Sequence, residues 1–163
     1  MVINEFGFKT MLNILMYLFD NDLTSTKKFM QNPLYIQQQL AAEGFPPYEI
    51  HQAISWLKEL QQWQESESMS TLSESQSQRV FSASESHKFT KKARDLLMRL
   101  EKRNVITPWH REVIIDRAMA IEALKINESQ IKWIVLMVLY HYQQENMTIY
   151  WLEHILSESL TMH

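Results

Sequence analysis

Glycine is almost absent from this chain. Gly7 and Gly44 are the only two in 163 residues, where average usage predicts roughly eleven. Sandwiches and barrels turn about every 8–12 residues and need Gly, Asn or Pro at their corners, so both are close to excluded. Neither glycine stands in a Gly-rich turn, which excludes a dinucleotide-binding fold. Cysteine is missing altogether. Disulfides, thiolate zinc sites, iron–sulfur clusters and cysteine nucleophiles therefore fall away together. Apolar residues make up 45 % and charged residues 21 %, enough to bury a core. The expected class is all-α, with at most a short β-hairpin or wing near residues 68–82.

Apolar spacings of three and four run through most of the chain, the period of a helix. A first helix is expected at about 7–20, with Phe8, Met11, Leu12, Leu15, Met16 and Phe19 on one face. A second starts at Asn32-Pro33, a capping residue followed by a first-turn proline. It buries Leu34, Ile36 and Leu40 and stops at Gly44, suited to a left-handed C′ position. A third covers about 47–62 and turns Ile50, Ala53, Ile54, Leu57 and Leu60 inward. Residues 64–78 read QESESMSTLSESQSQ. That run has little to bury and reads as a linker, followed by a short strand at Arg79–Ser82. Helices resume at about 86–103, then at 107–124 behind Thr107-Pro108. The next, from Asn127, has Gln130 placed for a capping box. It is apolar on nearly every side up to His141 and should be the central helix. A last helix is expected at about 147–160.

The expected organisation is two packed helical halves. Residues 1–62 form a three-helix, helix–turn–helix-like unit, 63–82 a Ser/Glu/Gln-rich linker or wing, and 83–163 a four-helix unit. Three helices followed by a hairpin make a winged-helix plan, in which the third helix enters the major groove. Its outer face would be Tyr48, His51, Gln52, Ser55, Lys58 and Glu59, with Glu49 beside them. One lysine among two glutamates is poor chemistry for a phosphate-lined groove.

Three stretches carry a family likeness. They are Leu12-Asn-Ile-Leu-Met-Tyr-Leu-Phe-Asp-Asn21; Leu40-Ala-Ala-Glu-Gly-Phe45 with Glu49-Ile50 and Ala53-Ile54-Ser55-Trp56-Leu57; and Arg111-Glu112-Val-Ile-Ile-Asp-Arg117 with Lys132-Trp133-Ile-Val-Leu-Met-Val-Leu139. In this order, spanning nearly the whole chain, they resemble the Smg family, an uncharacterised group of bacterial proteins. The linker is more serine-rich than that resemblance leads one to expect, and the C-terminus also departs from it. The resemblance brings no catalytic residue or ligand. It implies only an association with DNA processing, through genes that lie near one for a DNA-processing protein.

Charge is unevenly spread. The chain totals −3, yet residues 85–125 carry +4, against −4 before them and −3 after. Lys88, Lys91, Lys92, Arg99, Lys102 and Arg103 fall opposite Phe89, Leu96 and Leu100. Such a stripe suits an acidic partner or a phosphate backbone; its plainer reading is a solvated helix face, with Asp95 and Arg99 as an ordinary pair. Trp63, at the end of a helix beside the linker, and Trp109, in a helix's first turn, are candidate anchors for a protein partner. Trp133 and Trp151 read as core.

No motif here carries chemistry. There is no Walker loop, nucleophile elbow or kinase set. Arg111-Glu112 and Asp116-Arg117 read as surface pairs, with Glu112 near a helix's positive end. His141 with Glu145 and His154 with Glu158 are spaced four apart, but two ligands do not make a metal site. The N-terminus lacks a basic n-region and a cleavage pattern, and the longest apolar run, Trp133–Tyr140, is too short to span a bilayer. The expectation is a cytoplasmic, non-enzymatic protein-interaction adaptor or regulator, without cofactor or metal. The alternative is a winged-helix-type nucleic-acid binder linked to DNA processing.

Overall fold

The computed structural model describes residues 8–21, 31–67 and 79–142. Among them the chain is helical. The order is α1 (Phe8–Asp20), α2 (Pro33–Ala42), α3 (Pro47–Glu67), α4 (Ala83–Lys88), α5 (Lys91–Lys102), α6 (Pro108–Met119) and α7 (Glu128–Tyr142). The helix expected at 147–160, with Trp151, His154 and Glu158, lies outside the described residues, as do Glu145 and residues 68–78 of the expected hairpin.

Side chains written into the sequence set most helix ends. Asn32 accepts from the Tyr35 amide at 3.2 Å, with Pro33 in the first turn. Thr107 accepts from the His110 amide at 3.1 Å ahead of Pro108. Asn127 and Gln130 bond reciprocally, each at 2.9 Å. These caps satisfy donors that a helix start leaves open. Gly44 has φ +91° and closes α2 as expected. The Gly44 amide reaches the Ala41 carbonyl and that of Phe45 reaches Leu40, the paired bonds of a Schellman ending. Asn104, at φ +58°, ends α5 with the same two bonds, from Asn104 to Glu101 and from Val105 to Leu100. Asparagine is among the few residues that tolerate this region.

Four expectations are corrected. Arg79–Ser82 is irregular rather than a strand, with Val80 85 % exposed; no strand and no wing occur among the described residues. In place of a strand, Arg79 turns its guanidinium onto two glutamates. α3 continues through Gln64–Glu67, because Glu and Gln extend a helix that is already nucleated. The helix expected at 86–103 is two helices. Ser82 and Glu85 form a capping box that starts α4, and Phe89 is extended, so Thr90 caps α5 afresh by accepting from the Ala93 amide. Leu34 is 62 % exposed, leaving Ile36 and Leu40 to bury α2.

The buried side chains form one contiguous cluster drawn from both sides of the 68–78 segment. α3 packs on α1, α2 and α6, while α7 packs on α5 and α6. Ile134 through Leu139 are all buried, so α7 is enclosed on every side as its composition predicts. Phe19 of α1 meets Trp133 and Tyr140 of α7 edge to face, at centroid distances of 6.3 and 5.1 Å.

A crossed pair of lysines fixes the turn between α4 and α5 against the turn after α6. The Lys88 amine donates to the carbonyls of Met119, at 2.7 Å, and Ile121 at the end of α6. Lys125 donates to the His87 carbonyl at the end of α4. A cation at a helix C-terminus is favoured by the dipole. Between them the Ile126 amide bonds the Lys88 carbonyl at 2.8 Å and the Thr90 amide bonds the Ile126 carbonyl at 3.0 Å.

Candidate interaction surfaces

Three polar constellations stand out. The first is the solvent face of α5. Its inner face is Ala93, Leu96, Leu97 and Leu100, all buried. At about 100° per residue, Lys91, Lys102, Asp95, Arg99, Lys92 and Arg103 then share roughly one third of the circumference. Lys91 pairs with Asp95 at 3.0 Å, and both side chains are largely in water. Lys92, Lys102 and Arg103 are exposed and Arg99 half-buried. Of the six-residue stripe expected from the sequence, five bases share this face. Lys88 does not: its amine is committed to the end of α6, and burial pushes its pKa below the ordinary lysine value.

The second constellation joins α3 to α6 through Arg117, which is only 4 % exposed. Its Nη2 lies 2.6 Å from Glu59 Oε2 and 2.8 Å from Asp116 Oδ2, and its Nε is 3.0 Å from the same Asp116 oxygen. The Arg117 guanidinium also lies over the Trp56 ring, 5.8 Å from its centroid. The two residues exchange backbone bonds: Trp56 Nε1 donates to the Arg117 carbonyl at 2.8 Å, and Arg117 Nη1 to the Trp56 carbonyl at 3.3 Å. Expecting Asp116-Arg117 as a surface pair was therefore wrong for Arg117. The signal lay in the spacing, since Arg117 falls four after Val113 and three after Ile114, on the stripe α6 buries.

Trp63 and Trp109, the two proposed anchors, are brought together beside Arg117. Their rings meet edge to face at 5.2 Å, and Trp63 Nε1 donates to Asp116 Oδ2 at 2.9 Å. Both are half-buried. Glu59, Gln62, Trp63, Asp116 and Arg117 line an open pocket of about 420 Å³.

The third constellation is a chain of ions. Arg79 donates from Nη1 and Nη2 to Glu85, at 2.7 and 2.9 Å, and from Nε and Nη2 to Glu112, at 2.6 and 3.2 Å. Arg111 continues it from Glu112, at 3.0 Å, to Glu101, at 2.6 Å. The bonds from Arg79 hold the Glu85 carboxyl below its usual range, and the same bonds to Glu85 lead in raising the Arg79 pKa. Arg79 also lies over the Phe81 ring at 5.2 Å. This network clamps the chain entering α4 onto α6; Glu112, expected near the helix's positive end and as a surface pair with Arg111, is its central member, and Arg111 is largely buried rather than at the surface.

On the outer face of α3, Tyr48, His51, Lys58 and Glu59 are exposed. Tyr48 reaches Glu122 after α6, at 3.4 Å, and Glu59 is held by Arg117. Burial, then the charge of Glu122, pushes the Glu49 pKa up. Burial also pushes the His141 pKa down. Among the described residues no three His, Asp or Glu side chains converge as a metal set, and no helix is long and apolar enough to cross a membrane.

Comparison with known proteins places the chain. Residues 11–163 match the model of a family described as a protein of unknown function, DUF494. The Smg homologue of Vibrio campbellii is 37 % identical over 134 residues, covering 80 % of this chain and 84 % of the relative. That of Thioalkalivibrio sulfidiphilus is 32 % identical over 151 residues, 93 % of this chain and 95 % of the relative. That of Nitrosococcus oceani is 32 % identical over 153 residues, 94 % and 96 % respectively. No solved structure matches. With likeness of this extent at both levels, the chain belongs to the Smg family of bacterial proteins, whose function is not assigned.

Proposed function

We propose that this protein is a non-enzymatic cytoplasmic adaptor that docks an acidic surface of another protein onto the exposed face of α5. The observation that carries the reading is the grouping of Lys91, Lys92, Arg99, Lys102 and Arg103 on one solvent face of an otherwise acidic chain. A concentrated patch of one sign steers an oppositely charged partner and sets register more than it sets affinity. Asp95, in the middle of the face, favours a protein over a nucleic acid. A partner can set a cation against Asp95, whereas a phosphate backbone presents only negative charge. The arginines can take carboxylates in bidentate fashion, which the lysines cannot.

The test is affinity capture from native extract after nuclease treatment, using the wild type and the triple variant K92E/R99E/K102E. These side chains lie off the core, so the variant should fold. The wild type is expected to retain a protein that high salt releases and that the variant retains at least tenfold less. Capture that vanishes with nuclease, or that the variant leaves intact, would overturn the reading. Nucleic-acid binding through about six phosphates would show a log–log salt slope near −5.

A further inference from the structure

We infer that the outer face of α2 pairs with the same face of a second copy of this chain, the two helices running antiparallel about a two-fold axis at Gln38. The inference goes beyond the docking role of α5 and does not depend on it.

α2 presents a broad uncharged surface. No residue of Pro33–Ala42 carries a charge, although charged residues make up 21 % of the chain. Ile36 and Leu40 are buried on one side. At about 100° per residue, Gln38 lies opposite that side, and Leu34, Tyr35, Ala41 and Ala42 flank it within about 60°. All five are exposed, Leu34 at 62 % and Tyr35 at 50 %. The solvent side of a surface helix is ordinarily charged or polar. Here it sets two large side chains in the first turn and two methyl groups in the last.

That order complements itself when reversed. A two-fold contact brings residue i against j and j against i. With the axis at Gln38, Leu34 of one copy falls over Ala41 of the other, and Tyr35 over Ala42. Bulky groups then fill the space that small ones leave, at both ends of the contact. Gln38 meets its own copy, and a carboxamide both donates and accepts, so the two amides bond reciprocally. Gln39 Nε2 donates to Tyr35 Oη at 2.7 Å, which holds the phenol in place and lowers the cost of ordering it.

Charge points to the same occupant. Two copies of a chain with net charge −3 repel each other, and α2 is a face on which they meet without opposing like charges. An acidic or basic partner would find no counter-charge on it. Antiparallel helices also set opposite dipole ends together. A helix of 10 residues is about 15 Å long, so the contact falls in the weak class, below about 1,200 Å² in total. A dissociation constant on the order of 100 µM is expected.

The test is sedimentation equilibrium of the full chain between about 5 and 500 µM, a range that brackets that constant. The wild type should rise from monomer towards dimer mass. Q38E and Q38K place like charges across the axis, and each alone should weaken self-association at least about tenfold. An equimolar mixture of the two should recover wild-type strength or better. A41L, which crowds Leu34 of the other copy, should weaken pairing by about tenfold, and L34A/A41L, which exchanges large and small, should recover most of it. All of these positions are exposed, and far-UV circular dichroism confirms that each variant is folded. A chain that stays monomeric throughout, self-association that Q38E and Q38K leave intact, or a mixture no tighter than either variant alone would overturn the inference.

Discussion

Replacing Phe89 with alanine should lower the unfolding free energy by about 3–5 kcal/mol. Phe89 is 1 % exposed and stands where α4 gives way to α5. Its backbone is tied to Ile126 through a bridge, and its ring meets that of Phe81 at 6.3 Å. Removing the ring takes away the buried apolar surface that holds two helix ends together, and leaves a cavity which the bridged backbone resists closing. For a domain stable by about 5–15 kcal/mol, that is a large share. Phe89→Leu, which keeps most of the volume, should cost below about 1.5 kcal/mol. Urea unfolding followed by tryptophan fluorescence measures both. A loss under about 1 kcal/mol for the alanine variant would show that this junction is not a packed part of the core.

Arg117→Ala should cost about 2–4 kcal/mol. The loss combines charged hydrogen bonds with a vacated buried volume. It stays below the most severe values for a broken buried pair because Glu59 and Asp116 keep contact with water. Arg117→Met separates the two contributions. Methionine refills most of the space and supplies none of the bonds, so it should recover about half of the loss. The same unfolding experiment decides it. If both variants fall within about 0.5 kcal/mol of the wild type, the α3–α6 seam is held by apolar contact alone and Arg117 is not its clamp.

Much of this fold is legible in the amino acids, because the helix starts are marked by residues that act locally. Asn32-Pro33, Thr107-Pro108 and the Asn127/Gln130 pair each satisfy backbone donors within three residues, so no distant contact is needed to predict them. Gly44 is legible for the same reason. The start of α4 was present too, as Ser82 followed three residues later by Glu85, and the fresh start of α5 is marked by Thr90. The split between them is masked by apolar spacing that runs through Phe89 and Ala93 without a break, although a bridge to Ile126 pulls Phe89 out of the helix. Periodicity cannot see a contact 37 residues away.

The polar constellations are harder to read from sequence. The basic face of α5 is legible because it depends on one helix, but the departure of Lys88 depends on where α6 ends. Arg117 sits on a buried stripe, yet what makes burial tolerable is Glu59, 58 residues earlier. Trp63 and Trp109 could be named from their expected positions at helix ends, although α3 runs four residues past Trp63. Their contact needs α3 to lie across α6, which no local pattern states. Arg79 shows the reverse error: a β-like run, Arg-Val-Phe-Ser, is overruled by two carboxylates that draw the guanidinium inward.

Zero-length carbodiimide cross-linking of the chain, in nuclease-treated native extract, tests the proposed docking face most directly. The reagent joins an amine to a carboxylate in contact with it, which is the contact an acidic partner would make with the lysines of α5. Partner peptides should be joined chiefly at Lys91, Lys92 and Lys102. Cross-links concentrated at Lys58 on α3, or the absence of any partner peptide joined to α5, would contradict the account.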